Sequence, residues 1–441
     1  MNASDHPGSQ PTPPHDQQDT EHRDTEQRDA EAPPAGLAGW LRGALEHRAV
    51  DLDGIRLSYG ELAAEINEAV DELHATERGD GPADILAVSD TDPLATLIAC
   101  YAALIAGRPV LVTDPEQPVP AVTSLPAGAQ LLLTTSGSTG RPRVIARTWE
   151  SWRVSFPPFT EITGIDGDDT VALTGPLHGS MHLLGALHTL WVGATLTDDV
   201  TAATVMHCVP TVLDTLLRDD ETATPAVRLA VIGGAPLTTG LADRARAAGI
   251  ELVEYYGATE LSFVAARRYR RPLAPFPGVE VVARDGVIWA RSPYLSLGYA
   301  GASGEMRVDD EGFASVGDLG AFVGESLAVR GRGDAAITTS GATVLAEDIE
   351  ASLLELPGVR AVAVVGLPHE RLGEIVAAVM EVAPGTKGAL LRTEARSRLQ
   401  SAALPRRWYV ATLPRTSAGK IVRAAIRAGL IDGTLDAQPL A

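Results

Sequence analysis

The chain has 441 residues, enough for two or three domains, and its 45% hydrophobic and 21% charged residues are typical of a globular protein. Its net charge of −21 repels polyanions and therefore disfavours nucleic-acid binding. Its apolar runs are too short to cross a bilayer, and no basic segment followed by an apolar one stands at the start, so we expect a cytoplasmic protein without a signal peptide or membrane span.

The first elements predict a tail followed by an α/β domain. Residues 1–35 are acidic and proline-rich with almost nothing apolar, which predicts disorder. Apolar residues at helical spacing predict a helix over Tyr59–Ala75. Apolar segments at residues 84–89 and 109–113 predict buried strands, with an alanine-rich helix over residues 94–106 between them. A strand–helix–strand unit of this spacing indicates a parallel sheet.

The same alternation continues to about residue 330, where a new unit begins. That unit contains an apolar strand at residues 359–365 and a helix near residues 388–400, which predicts a small α+β domain of about a hundred residues. The predicted organisation is a tail at 1–35, a large α/β domain over 36–331, a small domain over 332–430 and a second tail at 431–441.

Two segments of the large domain have the composition of a nucleotide site. Residues 131–143 read LLLTTSGSTGRPR, an apolar strand followed by glycines and hydroxyls. Such a loop either directs backbone N–H groups at an anion or serves as a hinge, and it is not a Walker loop because no Gly-Lys-Ser/Thr follows. Residues 255–260 read YYGATE, which suits base stacking, a close backbone approach and a metal-binding carboxylate.

Three later segments complete the pattern. Residues 317–320 read GDLG, residues 330–350 read RGRGDAAITTSGATVLAEDIE, and residues 413–423 read LPRTSAGKIVR. The last contains Lys420, one of only two lysines in the chain, whereas the other, Lys387, is interpreted as a surface residue. In this order, from about residue 59 to residue 423, the segments resemble the adenylate-forming superfamily of acyl-CoA synthetases, adenylation domains and luciferases.

The resemblance implies a large domain of stacked α/β sheets and a small, mobile C-terminal α+β domain. It also implies nucleotide contacts through a phosphate loop, a segment against adenine, a stacking tyrosine and groups that bind the ribose. The implied contacts are Thr135, Ser136, Gly137, Ser138, Thr139, Gly140, Gly233, Gly234, Ala235, Pro236, Tyr256, Gly257, Asp318 and Arg332. Arg143 stands where the family usually has a lysine, which keeps the charge but changes its geometry.

The remaining implied roles concern chemistry and movement. Lys420 matches the catalytic lysine, Glu260 the Mg²⁺ ligand and Thr259 the α-phosphate contact. Asp334 matches the hinge between the two domains, and Gly341 matches the glycine that lines a pantetheine tunnel. The resemblance therefore implies ATP, Mg²⁺ and CoA, or the phosphopantetheine of a carrier protein, as cofactors.

The implied reaction is ATP-dependent activation of a carboxylic acid to an acyl-adenylate, followed by transfer to a thiol, with CoA favoured. Residues 173–196 match the acyl-pocket segment, in which His178, Met181 and His182 are candidates and His188 is interpreted as structural. This segment has no carboxylate near these candidates, so an acid without an α-amino group is favoured. Two alternatives stay open, namely an enzyme that loads a carrier protein or an amine, and a non-catalytic nucleotide-binding relative.

Overall fold

The computed structural model describes residues 36–75, 84–135, 143–218, 226–301, 304, 306–332, 336–339, 342–416 and 419–440. The elements up to residue 218 alternate between strands and helices. They are β1 (Arg48–Leu52), β2 (Ile55–Ser58), α1 (Tyr59–Ala75), β3 (Leu86–Val88), α2 (Pro93–Ala106), β4 (Val110–Val112), β5 (Leu131–Thr135), β6 (Arg143–Arg147), α3 (Glu150–Arg153), α4 (Phe156–Thr163), β7 (Thr170–Leu173), α5 (Ser180–Val192), β8 (Thr195–Thr197), β9 (Val205–Cys208) and α6 (Pro210–Leu216).

The following elements, up to residue 332, are mostly strands. They are β10 (Leu229–Ile232), α7 (Thr239–Ala247), β11 (Glu251–Ala258), β12 (Ser262–Arg268), β13 (Ala274–Pro275), β14 (Glu280–Arg284), β15 (Val287–Arg291), β16 (Gly298–Tyr299), β17 (Arg307–Val308), β18 (Ala314–Ser315), β19 (Asp318–Val323) and β20 (Ser326–Arg332). The last elements are β21 (Ala336–Thr339), β22 (Ala342–Leu345), α8 (Ala346–Leu354), β23 (Val359–His369), β24 (Gly373–Val382), α9 (Gly388–Arg398), β25 (Arg407–Val410), α10 (Arg423–Asp432) and β26 (Gln438–Pro439).

The largest sheet of the described residues has nine strands in the order β13-β12-β11-β10-β9-β7-β8-β1-β2. Its central pairs, from β11 through β8 to β1, are parallel. The strands Val205–Cys208 and Leu229–Ile232 are buried at every position, as expected where helices cover both faces of a parallel sheet. The carboxyl ends of β7, β9, β10 and β11 therefore meet at one edge, where such sheets bind ligands.

A five-stranded sheet with the order β16-β6-β5-β4-β3 lies in the same large domain. The predicted strand–helix–strand unit is confirmed here, because β3 and β4 are parallel and α2 connects them. The helix begins at Pro93, one residue before the predicted start, because the Asp92 carboxylate caps it by accepting from the backbone N–H of Leu94 at 2.8 Å. The strands β5 and β6 flank the predicted phosphate loop, whose residues 136–142 lie outside the described residues.

A third sheet, β17-β18-β15-β19-β20 with β14 beside β15, completes the large domain. Its buried side chains Ile288, Ala290 and Leu327 belong to the same hydrophobic core as Val205 of the nine-stranded sheet and Leu131 of the five-stranded sheet. The three sheets therefore share one continuous core. Within the described residues, no helix combines the length and the apolar character needed to span a bilayer.

The fourth sheet, β22-β21-β24-β25-β26 with β23 beside β24, has a core on each face. Along β23, Val362 and Val364 face one core while Ala361 and Ala363 face the other, which is the two-residue period of a strand. The predicted fold class, with a large α/β domain and a smaller C-terminal one, is confirmed. The predicted boundary at residue 331/332 stays a prediction, although the sheets change between Arg332 and Ala336.

The predicted C-terminal tail at 431–441 differs from the structure. The helix α10 continues to Asp432, and Gln438–Pro439 pairs with β25. Leu440 is buried in the core of the small domain, and its backbone N–H donates to the Trp408 carbonyl at 3.0 Å. The segment is short and polar enough to suggest a tail, but one apolar side chain and one strand pairing hold it against the sheet.

Candidate active site

Tyr256 and Asp318 meet at the ligand edge of the nine-stranded sheet. The strand β11 is longer than the predicted strand of residues 251–254, so Tyr256 and Gly257 lie within it. The Tyr256 hydroxyl donates to Oδ2 of Asp318 at 2.7 Å, and Asp318 is only 8% exposed. Asp318 also pairs in register with Arg332 on β20. The structure thus brings together three residues predicted to contact the nucleoside.

Glu260 and Thr259 lie in the short turn between β11 and β12. The Tyr299 hydroxyl donates to Oε1 of Glu260 at 3.0 Å, and Glu260 is 6% exposed. The Thr259 and Ser180 hydroxyls lie 3.0 Å apart, which places the first residue of α5 beside the predicted α-phosphate contact. The backbone of residue 257 lies close to that of residue 262. A Cβ at Gly257 would collide with the carbonyl oxygen of Ser262, so only glycine fits there.

A single carboxylate fits Mg²⁺ in this setting, because Mg²⁺ is commonly held by one or two carboxylates together with substrate phosphates. Among the described residues, no group of three His, Cys, Asp or Glu side chains is arranged to hold a metal ion. Any metal at Glu260 would therefore depend on the phosphates of the nucleotide for its remaining ligands.

The segment predicted to lie against adenine follows β10 directly. Gly233 is buried, whereas Gly234, Ala235 and Pro236 are exposed and accessible to a ligand. A Cβ at Gly233 would lie 2.5 Å from Cζ of Tyr255, so the close contact between β10 and β11 requires glycine. The exposed part of the segment begins at the same sheet edge as Tyr256.

The loop that carries Lys420 lies against this edge. A bridge between Arg415 and Ile421 closes the loop, and the Arg415 guanidinium contacts Glu381 at 2.7 Å. A Cβ at Gly419 would lie 3.5 Å from Cγ2 of Val209, and a Cβ at Gly234 would lie 3.3 Å from Cγ1 of the same valine. Val209 therefore separates the lysine loop of the small domain from the predicted adenine segment by the width of one side chain.

Several predicted site residues lie beside or outside the described parts of the chain. Thr135 ends β5 and pairs with Arg143 at the start of β6, so both flank the predicted phosphate loop. The loop residues Ser136, Gly137, Ser138, Thr139 and Gly140, the predicted hinge Asp334 and the predicted tunnel glycine Gly341 lie outside the described residues. Their roles stay predictions.

The predicted acyl-pocket residues lie at the start of α5. Met181 and His178 are half-buried, and Nε2 of His178 lies 3.8 Å from Oδ2 of Asp114. His182 is 3% exposed and packs directly on Gly175, and burial lowers its pKa to about 4. Burial also lowers the pKa of His178, while Asp114 acts in the opposite direction. His182 is therefore a neutral hydrogen-bonding group at neutral pH.

Two further histidines lie deeper in the large domain. His188 is fully buried among Phe156, Phe159 and Trp191, and its Nε2 lies 2.8 Å from the Thr160 hydroxyl. This placement agrees with the structural role predicted for it. His207, at the end of β9, was not singled out from the sequence, and burial lowers the pKa of both His188 and His207 to about 3.

These buried histidines predict acid sensitivity of the fold. His182, His188 and His207 have lowered pKa values in the folded chain, so the unfolded chain binds more protons as the pH falls below about 6.5. The contribution of these histidines to the free energy of unfolding is therefore complete above about pH 6.5. It is lost as the pH falls from there towards their pKa values in the folded chain. We expect each histidine to contribute about 1.4 kcal/mol per pH unit to this loss.

Urea unfolding at several pH values between 7 and 4.5 measures the slope. His188→Leu should make the slope shallower than that of the wild type by about one proton. An unchanged slope in His188→Leu would contradict the assignment of that proton.

Arg147 is a site residue that the sequence analysis did not identify. Its side chain is fully buried although it carries a charge, and it donates to the Thr259 carbonyl oxygen at 3.0 Å. Tyr299 was also missed, as was the contact of Ser180, a residue of the predicted pocket segment, with Thr259. The one available signal was the charged residue at the end of the otherwise apolar segment VIAR in β6.

Comparisons with known proteins identify the family. The family model described as "AMP-binding enzyme" matches residues 126–300, and the model described as "AMP-binding enzyme C-terminal domain" matches residues 348–420. The uncharacterized acyl-CoA ligase YhfT of Bacillus subtilis (strain 168) is 30% identical over 374 residues, covering 76% of this chain and 74% of that protein. A probable 2-succinylbenzoate–CoA ligase of Mycobacterium tuberculosis (strain H37Rv) is 32% identical over 365 residues, covering 72% and 90%.

Solved structures show the same fold. ATP-bound MatB from Rhodopseudomonas palustris superposes with a TM-score of 0.77 at 21% identity, over 88% of this chain and 96% of that one. The o-succinylbenzoate CoA synthetase MenE from Bacillus subtilis, in complex with its acyl-adenylate intermediate, superposes with a TM-score of 0.74 at 19% identity, over 87% and 95%. The family predicted from the sequence is confirmed, and this chain belongs to the AMP-binding enzymes of the adenylate-forming superfamily.

Proposed function

We propose that this chain activates a carboxylic acid with ATP to an acyl-adenylate and then transfers the acyl group to the thiol of CoA. The observation that carries the proposal is the position of the Lys420 loop, which lies across Val209 from the exposed Gly234 at the edge where Tyr256 and Asp318 meet. The CoA ligases among its relatives support the class, an AMP-forming acid–thiol ligase.

In the first half-reaction, a carboxylate oxygen attacks the α-phosphorus of ATP. A C(O)–O–P bond forms, the bond between the α-phosphorus and the bridging oxygen breaks, and pyrophosphate leaves with the electron pair. Tyr256 and Asp318 would hold the nucleoside, and the Thr259 hydroxyl would donate to the α-phosphate. The Lys420 ammonium would stabilise the charge that develops there.

Glu260 would hold Mg²⁺ with the nucleotide phosphates, and the bound ion would reduce the repulsion between the phosphates and the incoming carboxylate. The Tyr299 hydroxyl donates to Oε1 of Glu260, so Oε2 is the oxygen that would bind the metal. Orientation of the two bound reactants contributes much of the remaining acceleration.

In the second half-reaction, the thiol sulfur attacks the acyl carbon and a C–S bond forms. The bond between that carbon and the phosphate oxygen breaks, AMP leaves with the electron pair, and the thiol proton is released to water. The Lys420 loop lies over the nucleotide edge, so the thiol approaches by another route or after the small domain moves. A rotation about Asp334 that presents Gly341 agrees with the family resemblance. Both residues lie outside the described residues, so this movement stays a proposal.

The acid is proposed to lack an α-amino group. The start of α5 carries Ser180, Met181 and His182, and the nearby Asp114 carboxylate faces Nε2 of His178 at 3.8 Å. Because the pKa of His182 is lowered to about 4, its ring is neutral at pH 7 and offers hydrogen bonds without charge. A polar but uncharged substituent on the acid fits this surrounding.

Pyrophosphate release across a panel of carboxylic acids tests the proposal. Separate reactions contain CoA, a phosphopantetheinylated carrier protein, an amine or no acceptor. We expect release to depend on the acid, with AMP as the nucleotide product and CoA consumed in equal amount. Consumption of the carrier protein or the amine instead of CoA would assign the alternative acceptor. ADP and phosphate as products, or release that no acid stimulates, would contradict the proposal.

A further inference from the structure

Arg147, on β6 of the five-stranded sheet, contacts the turn of the nine-stranded sheet that carries Thr259 and Glu260. The guanidinium Nη1 donates to Oγ of Ser262 at 2.8 Å, and Nη2 donates to the carbonyl oxygen of Thr259 at 3.0 Å. Both ends of the turn of residues 259–262 are therefore held by one side chain. The guanidinium carbon also lies 4.8 Å from the ring centroid of Trp152, which restricts the remaining freedom of the group.

The strand that carries Arg147 begins where the predicted phosphate loop ends. Arg143 is the first residue of β6 and Arg147 is its last. The neighbouring strand β16 pairs Tyr299 with Ile145 of β6, and the Tyr299 hydroxyl donates to Glu260. One strand pair of the five-stranded sheet thus holds the turn at its backbone through Arg147 and at the Glu260 side chain through Tyr299.

Among the described residues, no carboxylate forms an ion pair with Arg147. Burying such a charge lowers the free energy of unfolding, because the guanidinium is removed from water. Burial lowers the pKa of Arg147 to about 9, and the charge of Glu260 acts in the opposite direction. Its Nε lies in the interior without a hydrogen-bond partner. Packing alone would be served better by a leucine or methionine, so the value of the guanidinium lies in the bonds that it donates. Two of them reach the turn, at Ser262 and Thr259, and a longer one of 3.4 Å reaches the Ser151 hydroxyl.

We infer that Arg147 is a positioning residue that fixes the turn bearing Thr259 and Glu260 against β6, and thereby sets the affinity for MgATP. This inference rests on the proposed function, because it takes those two residues to contact the phosphates and the metal. Lysine at this position would keep the charge, but its single ammonium lacks the planar, two-pronged guanidinium that lets Arg147 donate to Ser262 and Thr259 together. A displaced turn would lengthen the hydrogen bonds and metal contacts to the phosphates, and such charge-assisted contacts weaken with distance.

Isothermal titration calorimetry with MgATP, in the absence of acid and thiol, tests the inference. We expect Arg147→Lys to weaken MgATP binding about tenfold, which is about 1.4 kcal/mol. Ser262→Ala, which removes one of the two acceptors, should weaken it about threefold. Adenosine should bind both variants as it binds the wild type, because Tyr256 and Asp318 are unaffected. A general loss of folding would instead reduce the bound fraction for both ligands equally.

Arg228→Lys is the matched control. Arg228 also bridges two segments, contacting Asp169 and donating to the Gly164 carbonyl at 3.0 Å, but it lies at the amino end of β10, opposite the ligand edge. Its replacement should lower the melting temperature without changing MgATP affinity.

Equal MgATP affinity in the wild type, Arg147→Lys and Ser262→Ala would overturn the inference. If Arg147→Lys does not fold, the Ser262→Ala result decides alone. The proposed function fails by a different result, namely that the wild-type chain binds MgATP but none of the acids stimulates the release of pyrophosphate.

Discussion

Lys420→Ala should slow acyl-adenylate formation about a thousandfold while MgATP affinity stays within about twofold of the wild type. The ammonium acts chiefly on charge that develops at the α-phosphate in the transition state. Two bonds that hold the loop use the Lys420 backbone, and the variant keeps both of them. The Lys420 N–H donates to the Thr416 hydroxyl at 3.2 Å, and the Lys420 carbonyl accepts from Thr416 N–H at 2.8 Å.

Single-turnover formation of acyl-AMP, measured beside nucleotide binding, tests this expectation. Lys387→Ala is the control, because Lys387 is the other lysine of the chain and lies exposed just before α9. It should retain the wild-type rate. A Lys420→Ala rate near that of Lys387→Ala would remove Lys420 from the chemistry, whatever its position.

Glu260→Gln should reduce adenylation about a hundredfold and shift its dependence on Mg²⁺ to higher concentration. The amide oxygen can still accept from the Tyr299 hydroxyl, so the turn keeps its shape while the negative charge is lost. The rate measured against Mg²⁺ concentration at saturating ATP separates weaker metal binding from a slower chemical step.

Glu254→Gln serves as the control for this charge change. Glu254 lies on the same strand as Tyr256 but pairs with Arg267 at 2.6 Å, so its loss should affect stability and not the Mg²⁺ dependence. The metal assignment is wrong if Glu260→Gln and Glu254→Gln respond to Mg²⁺ as the wild type does.

The local elements could be predicted from the sequence because their signals are local. The helix Tyr59–Ala75 has the predicted bounds, since its apolar residues repeat at helical spacing along the whole element. The extension of β11 through Ala258 could not be predicted, because it depends on pairing with β12 across a bulge at Tyr256/Gly257. The pairing of Gln438–Pro439 depends likewise on a strand far away in the sequence.

The candidate site was predictable where the residues form contiguous motifs, as in YYGATE and around Lys420. Arg147, Tyr299 and the contact between Ser180 and Thr259 were missed because the contacts span long stretches of chain. Arg147 lies 115 residues from Ser262, and Tyr299 lies 39 residues from Glu260. No local pattern indicates such a contact, since a single arginine or tyrosine in a strand is ordinary until the partner is known.

The central claim is that one site, formed by the Lys420 loop and the edge bearing Tyr256, Glu260 and Asp318, makes an acyl-adenylate before any thiol takes part. Exchange of labelled pyrophosphate into ATP, measured without thiol and with the acid that best stimulates pyrophosphate release, tests it most directly. The account predicts rapid exchange that requires the acid and is lost in Lys420→Ala. Exchange that is absent with every acid, or that appears only when CoA is added, would contradict it.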